Sequence, residues 1–133
     1  MAADKNIAVA CEYHGRTLTD NVDSAWRLFE EVGPYGVYSY WQPLPGTPHA
    51  GRTRGLMEIM PWLRNLHVFH WHPETKERLP LAGGMESWRE WLELVHKQAP
   101  GKEIHCLMEF VRDNDPDNFL KDAATLKKLL DYF

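Results

Sequence analysis

Short apolar segments alternate with amphipathic segments four times along this chain of 133 residues. The apolar segments favour strands, and they cover residues 7–14, 37–41, 65–72 and 104–111. Apolar residues then recur at helical spacing around positions 22–32, 56–63, 88–95 and 119–133. Strand and helix thus alternate with a repeat of about 30 residues, which predicts parallel strands joined by right-handed crossovers.

Proline, glycine and capping residues mark the predicted boundaries. Asp20 or Asn21 can cap the first helix, which Gly33 is expected to end. Asp115 followed by Pro116 is typical of an N-cap and the first helical position. Pro61 is expected to kink or shorten the second helix. Loops are predicted for the proline- and glycine-rich residues 42–51 and for the charged residues 73–80.

Potential metal ligands lie at the ends of several predicted strands. Glu12 and His14 close the first strand, His67 lies in the third and Glu109 in the fourth. The carboxyl ends of parallel strands meet at one edge, where α/β proteins place their chemistry. Two buried glutamates there would repel each other, and a bound cation removes that cost. The pattern therefore predicts a divalent metal site formed by Glu12, His67 and Glu109.

Length, composition and charge narrow the class of protein. The length fits one domain over residues 1–133. A net charge of −4 with interspersed signs argues against a nucleic-acid-binding surface. No apolar run approaches the ~20 residues of a membrane span, and the N-terminus has no apolar export signal. The two cysteines form no CxxC motif, so we expect free thiols and a cytoplasmic location.

Four segments, taken in order, resemble a known family. Residues 7–14, 40–43, 66–71 and 107–110 resemble the second half of the sugar phosphate isomerase/epimerase family, in the xylose isomerase-like TIM barrel superfamily. The resemblance implies four consecutive βα units with parallel strands, the C-terminal half of a (β/α)8 barrel. It also implies one divalent ion, usually manganese, magnesium, cobalt or zinc.

The same resemblance implies a ligand set and a chemistry. The ligands would be Glu12, the position of Gln42, His67 and Glu109. The family often has Asp at the second position, whereas Gln42 offers an uncharged amide oxygen. In the ketose epimerases of this superfamily the two glutamates also form the acid/base pair. Glu12 and Glu109 are therefore expected to move a proton on and off the carbon beside a sugar carbonyl, as in an isomerase or epimerase.

Three further residues are candidates for contacts with a sugar substrate. His14 follows Glu12 by two positions and is expected on the same face, where it can orient a hydroxyl. Arg78 can hold a hydroxyl, carboxylate or phosphate, with a solvated charge as the alternative. Trp41, at a strand end, can stack on a sugar, with core packing as the alternative.

A half-barrel leaves the assembly of the chain and its function open to alternatives. Such a sheet has two bare edges and an uncovered face, so we expect a homodimer or higher assembly. A half-barrel that binds metal, or only assembles, without catalysis is the alternative function. A third possibility, an apurinic endonuclease of the same superfamily, is disfavoured because the acidic chain shows no basic surface for DNA.

Overall fold

The computed structural model of the chain describes residues 2–133. Four strands form one parallel sheet in the order β1-β2-β3-β6. These strands are β1 (Val9–Glu12), β2 (Val37–Trp41), β3 (Leu63–Val68) and β6 (His105–Met108). The helices that follow them are α1 (Val22–Val32), α2 (His49–Ile59), α3 (Met85–Gln98) and α4 (Pro116–Leu130). The predicted succession of four βα units is confirmed.

The helix boundaries follow local chemistry closely. Asn21 caps α1 in a capping box with Ser24, and Gly33 is its C-cap. Asp115 caps α4 by accepting the Asp117 amide, and Pro116 occupies the first turn. Pro61 lies in a 3-10 turn directly after α2, so it shortens that helix as predicted.

Four element predictions are wrong in detail. Residues 42–51 were expected to be a loop, but α2 begins at His49, directly after Pro48. Leu63, assigned to the second helix, begins β3. The third strand and the loop at 73–80 are also different: β3 ends at Val68, and a two-residue strand β4 (His70–Trp71) pairs antiparallel with β5 (Arg78–Leu79).

One face of the sheet is covered by helices and carries the core. Trp41, Leu66 and Val68 are buried there with Trp88 and Trp91 of α3. A register shift between β2 and β3 pairs Ser39 with Leu63 and Tyr40 with Asn65. The extra residue, Arg64, is the mark of a β-bulge, and it lets both Leu63 and Leu66 face the core.

The opposite face of the sheet is open. It carries Glu12, Tyr40 and His67, together with the exposed side chains of His105 and Leu107 from β6.

The last helix, α4, is more exposed to solvent than its apolar stripe predicted. Phe119, Leu130 and Phe133 are exposed, whereas Asn118 and Asp122 are buried. Asp122 accepts the Leu81 amide at 2.9 Å, which explains why a carboxylate faces the interior.

No helix among residues 2–133 combines the length and apolar character needed to cross a bilayer.

Candidate metal centre

The strand ends bring Glu12, His67 and Glu109 together, as the sequence predicts. Glu12 is the last residue of β1, and Glu109 follows β6, where its amide donates to Val68 O at 3.1 Å. The Nδ1 atom of His67 lies 3.5 Å from Glu12 Oε2 and 3.2 Å from Glu109 Oε2. One potential ligand atom from each residue lies within 4.8 Å of the others. A single cation can therefore be reached by all three side chains.

The electrostatics of this cluster also fit a cation. Burial and the neighbouring Glu12 carboxylate raise the pKa of Glu109, while His67 opposes that rise. Among residues 2–133, neither His67 Nδ1 nor Glu109 Oε2 has a hydrogen-bond partner, although both atoms are buried. Buried polar atoms normally have partners. Two carboxylates and one imidazole suit several divalent ions, so these residues fit a divalent metal.

Gln42 also reaches the cluster, where its amide contacts a candidate ligand. Its side chain is buried after β2, and its Nε2 group donates a hydrogen bond to Glu12 Oε1. The amide thereby fixes the orientation of a candidate ligand, as outer-shell partners of metal ligands do. Coordination through the amide oxygen of Gln42 stays a prediction.

A cavity of about 720 Å³ opens beside the cluster. Its walls include Glu12, Gln42 and Glu109, and they also include His14, whose contact with a substrate stays a prediction. Trp71 and Phe110 add an aromatic wall, with their rings 4.9 Å apart. The cavity thus combines acidic groups at one end with apolar ring faces.

Two predicted substrate contacts lie elsewhere. Trp41 is completely buried on the helix side of the sheet, where its ring packs edge-on against Trp88 and Trp91. The expectation that it stacks on a sugar is therefore wrong. Arg78 lies outside the cavity walls; it donates to Asn114 Oδ1 at 2.7 Å and covers the Phe110 ring. A substrate role for Arg78 stays a prediction.

Two basic residues of the cavity were not predicted from the sequence. Arg16 and Lys76 line it from two separate turns, and both have left-handed backbones, with φ of 69° and 60°. Neither lies in a strand or at a strand end. L-residues seldom adopt this left-handed conformation, and it is visible only in the folded chain. No sequence signal therefore pointed to Arg16 or Lys76.

Comparison with known proteins supports the fold. No protein-family model and no curated protein matches the sequence. Among solved structures, the chain is similar to a xylose isomerase-like TIM barrel protein from Mycobacterium smegmatis, crystallised in complex with magnesium. The TM-score is 0.67 at 15% identity, over 97% of this chain and 45% of that one. The chain therefore has the fold of part of a TIM barrel and spans less than half the length of that structure.

Proposed function

We propose that this chain is a metal-dependent isomerase or epimerase of a sugar or sugar derivative, or the metal-binding half of one. The observation that carries the proposal is the convergence of Glu12, His67 and Glu109 at the carboxyl end of a parallel sheet. In barrels of this class, catalytic groups lie at that end. The structural similarity to a xylose isomerase-like protein agrees with this chemistry.

Glu12, His67 and Glu109 would hold the ion through two carboxylate oxygens and a ring nitrogen. When bound, a divalent ion polarises a carbonyl and the hydroxyl beside it. Magnesium occurs in the similar structure, and manganese, cobalt and zinc accept the same donor atoms. The Gln42 amide holds Glu12 in place through its hydrogen bond to Oε1.

The two glutamates are the proposed acid/base pair. One carboxylate takes the proton from the carbon next to the carbonyl, and the other carboxyl group returns a proton. Glu109 suits the protonated role because burial raises the pKa of its carboxyl group. Glu12 takes the base role, and the hydrogen bond that Gln42 Nε2 donates to its Oε1 atom holds the carboxylate in place.

The cavity walls suit a polyhydroxylated substrate. The rings of Trp71 and Phe110 offer apolar faces on which a sugar ring can stack, and His14 lies at the wall near Glu12. His14 Nδ1 is 2.9 Å from Gly15 O, which holds the ring and leaves its other nitrogen for a substrate hydroxyl.

Hydrogen exchange tests the proposed chemistry directly. A panel of ketopentoses and ketohexoses is incubated with the manganese-loaded protein in D2O, and deuterium beside the carbonyl is followed by NMR. We expect incorporation that Glu12→Gln and Glu109→Gln abolish. The matched control Glu103→Gln, at an exposed position, leaves it unchanged. Metal binding without exchange on any sugar would contradict catalysis and favour the half-barrel that binds metal without turnover.

We further propose that a second copy covers the open face. The edge strands β1 and β6 each have a single neighbour in the sheet, and Leu107 on the open face is exposed. Two copies would pair these edges and provide eight strands. Light scattering is expected to give a dimer that Leu107→Lys dissociates and that Leu18→Lys, at a fully exposed loop position, preserves. A wild-type monomer would contradict the proposal.

A further inference from the structure

A second cavity, of about 310 Å³, lies beside the metal centre and has the opposite electrostatic character. It is bordered by the loop after β2, the first turn of α2, strand β4 and the start of α3. The polar and charged side chains in its walls are Thr47, His49, Arg52, His70, Trp71 and Ser87. None of the wall residues that the structure describes is acidic, whereas the metal-centre cavity contains three carboxylates.

Arg52 is the only wall residue with a permanent charge, and its guanidinium is incompletely satisfied. Its Nε group donates to Leu44 O at 3.2 Å. Its Nη2 atom is buried and has no hydrogen-bond partner within residues 2–133, and no carboxylate there forms an ion pair with it. Burial without a compensating charge also lowers the pKa of Arg52. Such a group is costly unless an anion pairs with it.

A second unpaired donor borders the same cavity. The indole Nε1 of Trp71 is buried and, in the described part of the chain, has no acceptor. Buried indole groups usually find a partner. Glu90 contacts His49 in the cavity wall, with its Oε2 atom 2.9 Å from His49 Nε2, and it forms no ion pair with Arg52. Arg52 and Trp71 both have a buried N–H group without an acceptor, and Arg52 is also a cation without an anion. Both features favour an anionic ligand that accepts hydrogen bonds.

We propose that this cavity binds a small oxyanion, of the phosphate class, through the Arg52 guanidinium and the Trp71 indole. Arginine presents a planar set of donors that matches phosphate oxygens. The hydroxyls of Thr47 and Ser87 lie in the walls and can complete the shell. Phe69, Trp88 and Trp91 give the cavity apolar walls, and the attraction between Arg52 and an anion is stronger beside such walls than in open water.

The anion has two possible sources, a free oxyanion or the phosphate group of a larger ligand. Trp71, Phe69 and Thr47 line both cavities, so a ligand could extend from one to the other. The site itself does not rest on the proposed metal chemistry, because neither Arg52 nor Trp71 is a candidate metal ligand, although Trp71 also lines the metal-centre cavity. The two proposals can therefore fail independently.

Titration of the metal-free protein with inorganic phosphate in the presence of EDTA tests the site. The Trp71 indole N–H resonance reports local binding, and calorimetry gives the affinity. We expect a saturable shift of that resonance in the wild type. Arg52→Gln is expected to weaken binding by about tenfold or more, since it removes hydrogen bonds to a charged group. The control Arg27→Gln, at an exposed position of α1, is expected to bind as the wild type does.

Titrations with a pentose phosphate and with the unphosphorylated pentose distinguish a free oxyanion from the phosphate group of a larger ligand. A pentose phosphate that binds more tightly than phosphate, and also shifts His14, identifies the phosphate of a larger ligand. Equal affinities identify a free oxyanion, and Arg52→Gln is expected to leave the binding of the unphosphorylated pentose unchanged. Absence of a saturable Trp71 shift with both phosphate and the pentose phosphate overturns the site, whether or not Arg52→Gln folds. Wild-type affinity in a folded Arg52→Gln variant overturns the role of Arg52.

Discussion

The Nδ1 atom of His67 lies 3.2 Å from the Oε2 atom of Glu109, and among residues 2–133 neither atom forms a hydrogen bond. The two residues come from neighbouring strands, since His67 pairs with Leu107 and Glu109 follows two positions later. A third group, the Glu12 carboxylate, lies 3.5 Å from the same nitrogen. This arrangement leaves a buried nitrogen and a buried oxygen that a divalent cation can use as ligands.

Replacing His67 is expected to weaken metal binding more than it disturbs the fold. His67→Ala removes the one nitrogen ligand, so manganese affinity should fall by more than the roughly 10–100-fold lost when an outer-shell partner is removed. Calorimetric titration with manganese measures the loss. His105→Gln is the matched control, because His105 lies on the same face of the sheet but is exposed and lies outside the cluster. Equal affinities in wild type and His67→Ala would contradict the site.

Glu109→Gln is expected to stabilise the metal-free protein at neutral pH while abolishing metal binding. Burial raises the pKa of Glu109 in the folded state, and the Glu12 charge raises it further. The folded state therefore favours the protonated carboxyl. In the metal-free wild type, stability falls as pH rises from the ordinary glutamate value through the raised value.

Urea denaturation at several pH values measures this effect. Across that pH window the Glu109→Gln variant should lose less stability than the wild type, because glutamine does not ionise. The gain at neutral pH should stay below about 1 kcal/mol, since the carboxylate is partly exposed and screened. Parallel stability profiles for the two proteins would contradict the raised pKa.

Trp41→Phe is expected to lower stability without changing metal affinity. The indole is completely buried and packs edge-on against Trp88 and Trp91, with ring centroids 5.9 and 5.1 Å away. The smaller ring leaves a cavity, which should cost about 1–3 kcal/mol of unfolding free energy. Trp71→Phe, in the wall of the metal-centre cavity, is the comparison. A change in metal affinity without a loss of stability would contradict the packing role of Trp41.

Asp122 is expected to stabilise the loop that precedes α3. Its Oδ1 atom accepts the Leu81 amide at 2.9 Å, and both residues are buried. Asp122→Ala leaves this amide without a partner and should cost about 1–3 kcal/mol. Asp122→Asn keeps an acceptor oxygen and should cost clearly less. Thermal unfolding of the two variants checks this, and equal losses would show that the hydrogen bond does not matter.

The parts of the fold that local chemistry determines were predictable. Asn21, Gly33 and Pro116 act as caps and boundaries through contacts within a few residues. The convergence of Glu12 and Glu109 was predictable for a different reason, because parallel strands place their carboxyl ends at one edge. The resemblance of the sequence to a known family agreed with both.

Long-range contacts explain most of what was missed. The third strand breaks at Phe69, whose carbonyl accepts a hydrogen bond from the Trp88 indole N–H at 2.9 Å. No local sequence pattern predicts that hydrogen bond. Asp122 is buried because of an amide 41 positions away. Trp41 differs from these cases. The sequence left sugar stacking and core packing open for it, and core packing is observed. Side chains alternate along β2, so the expected role of Gln42 on the open face already implied that Trp41 faces the helices.

The most direct test of the central claim is the anomalous difference density of manganese in crystals grown with that ion. We predict a peak bonded to a carboxylate oxygen of Glu12, a carboxylate oxygen of Glu109 and the Nδ1 atom of His67. The peak should be absent from crystals of His67→Ala grown in the same way. Manganese density elsewhere on the chain, with none between these three side chains, would contradict the metal centre and the chemistry proposed for it.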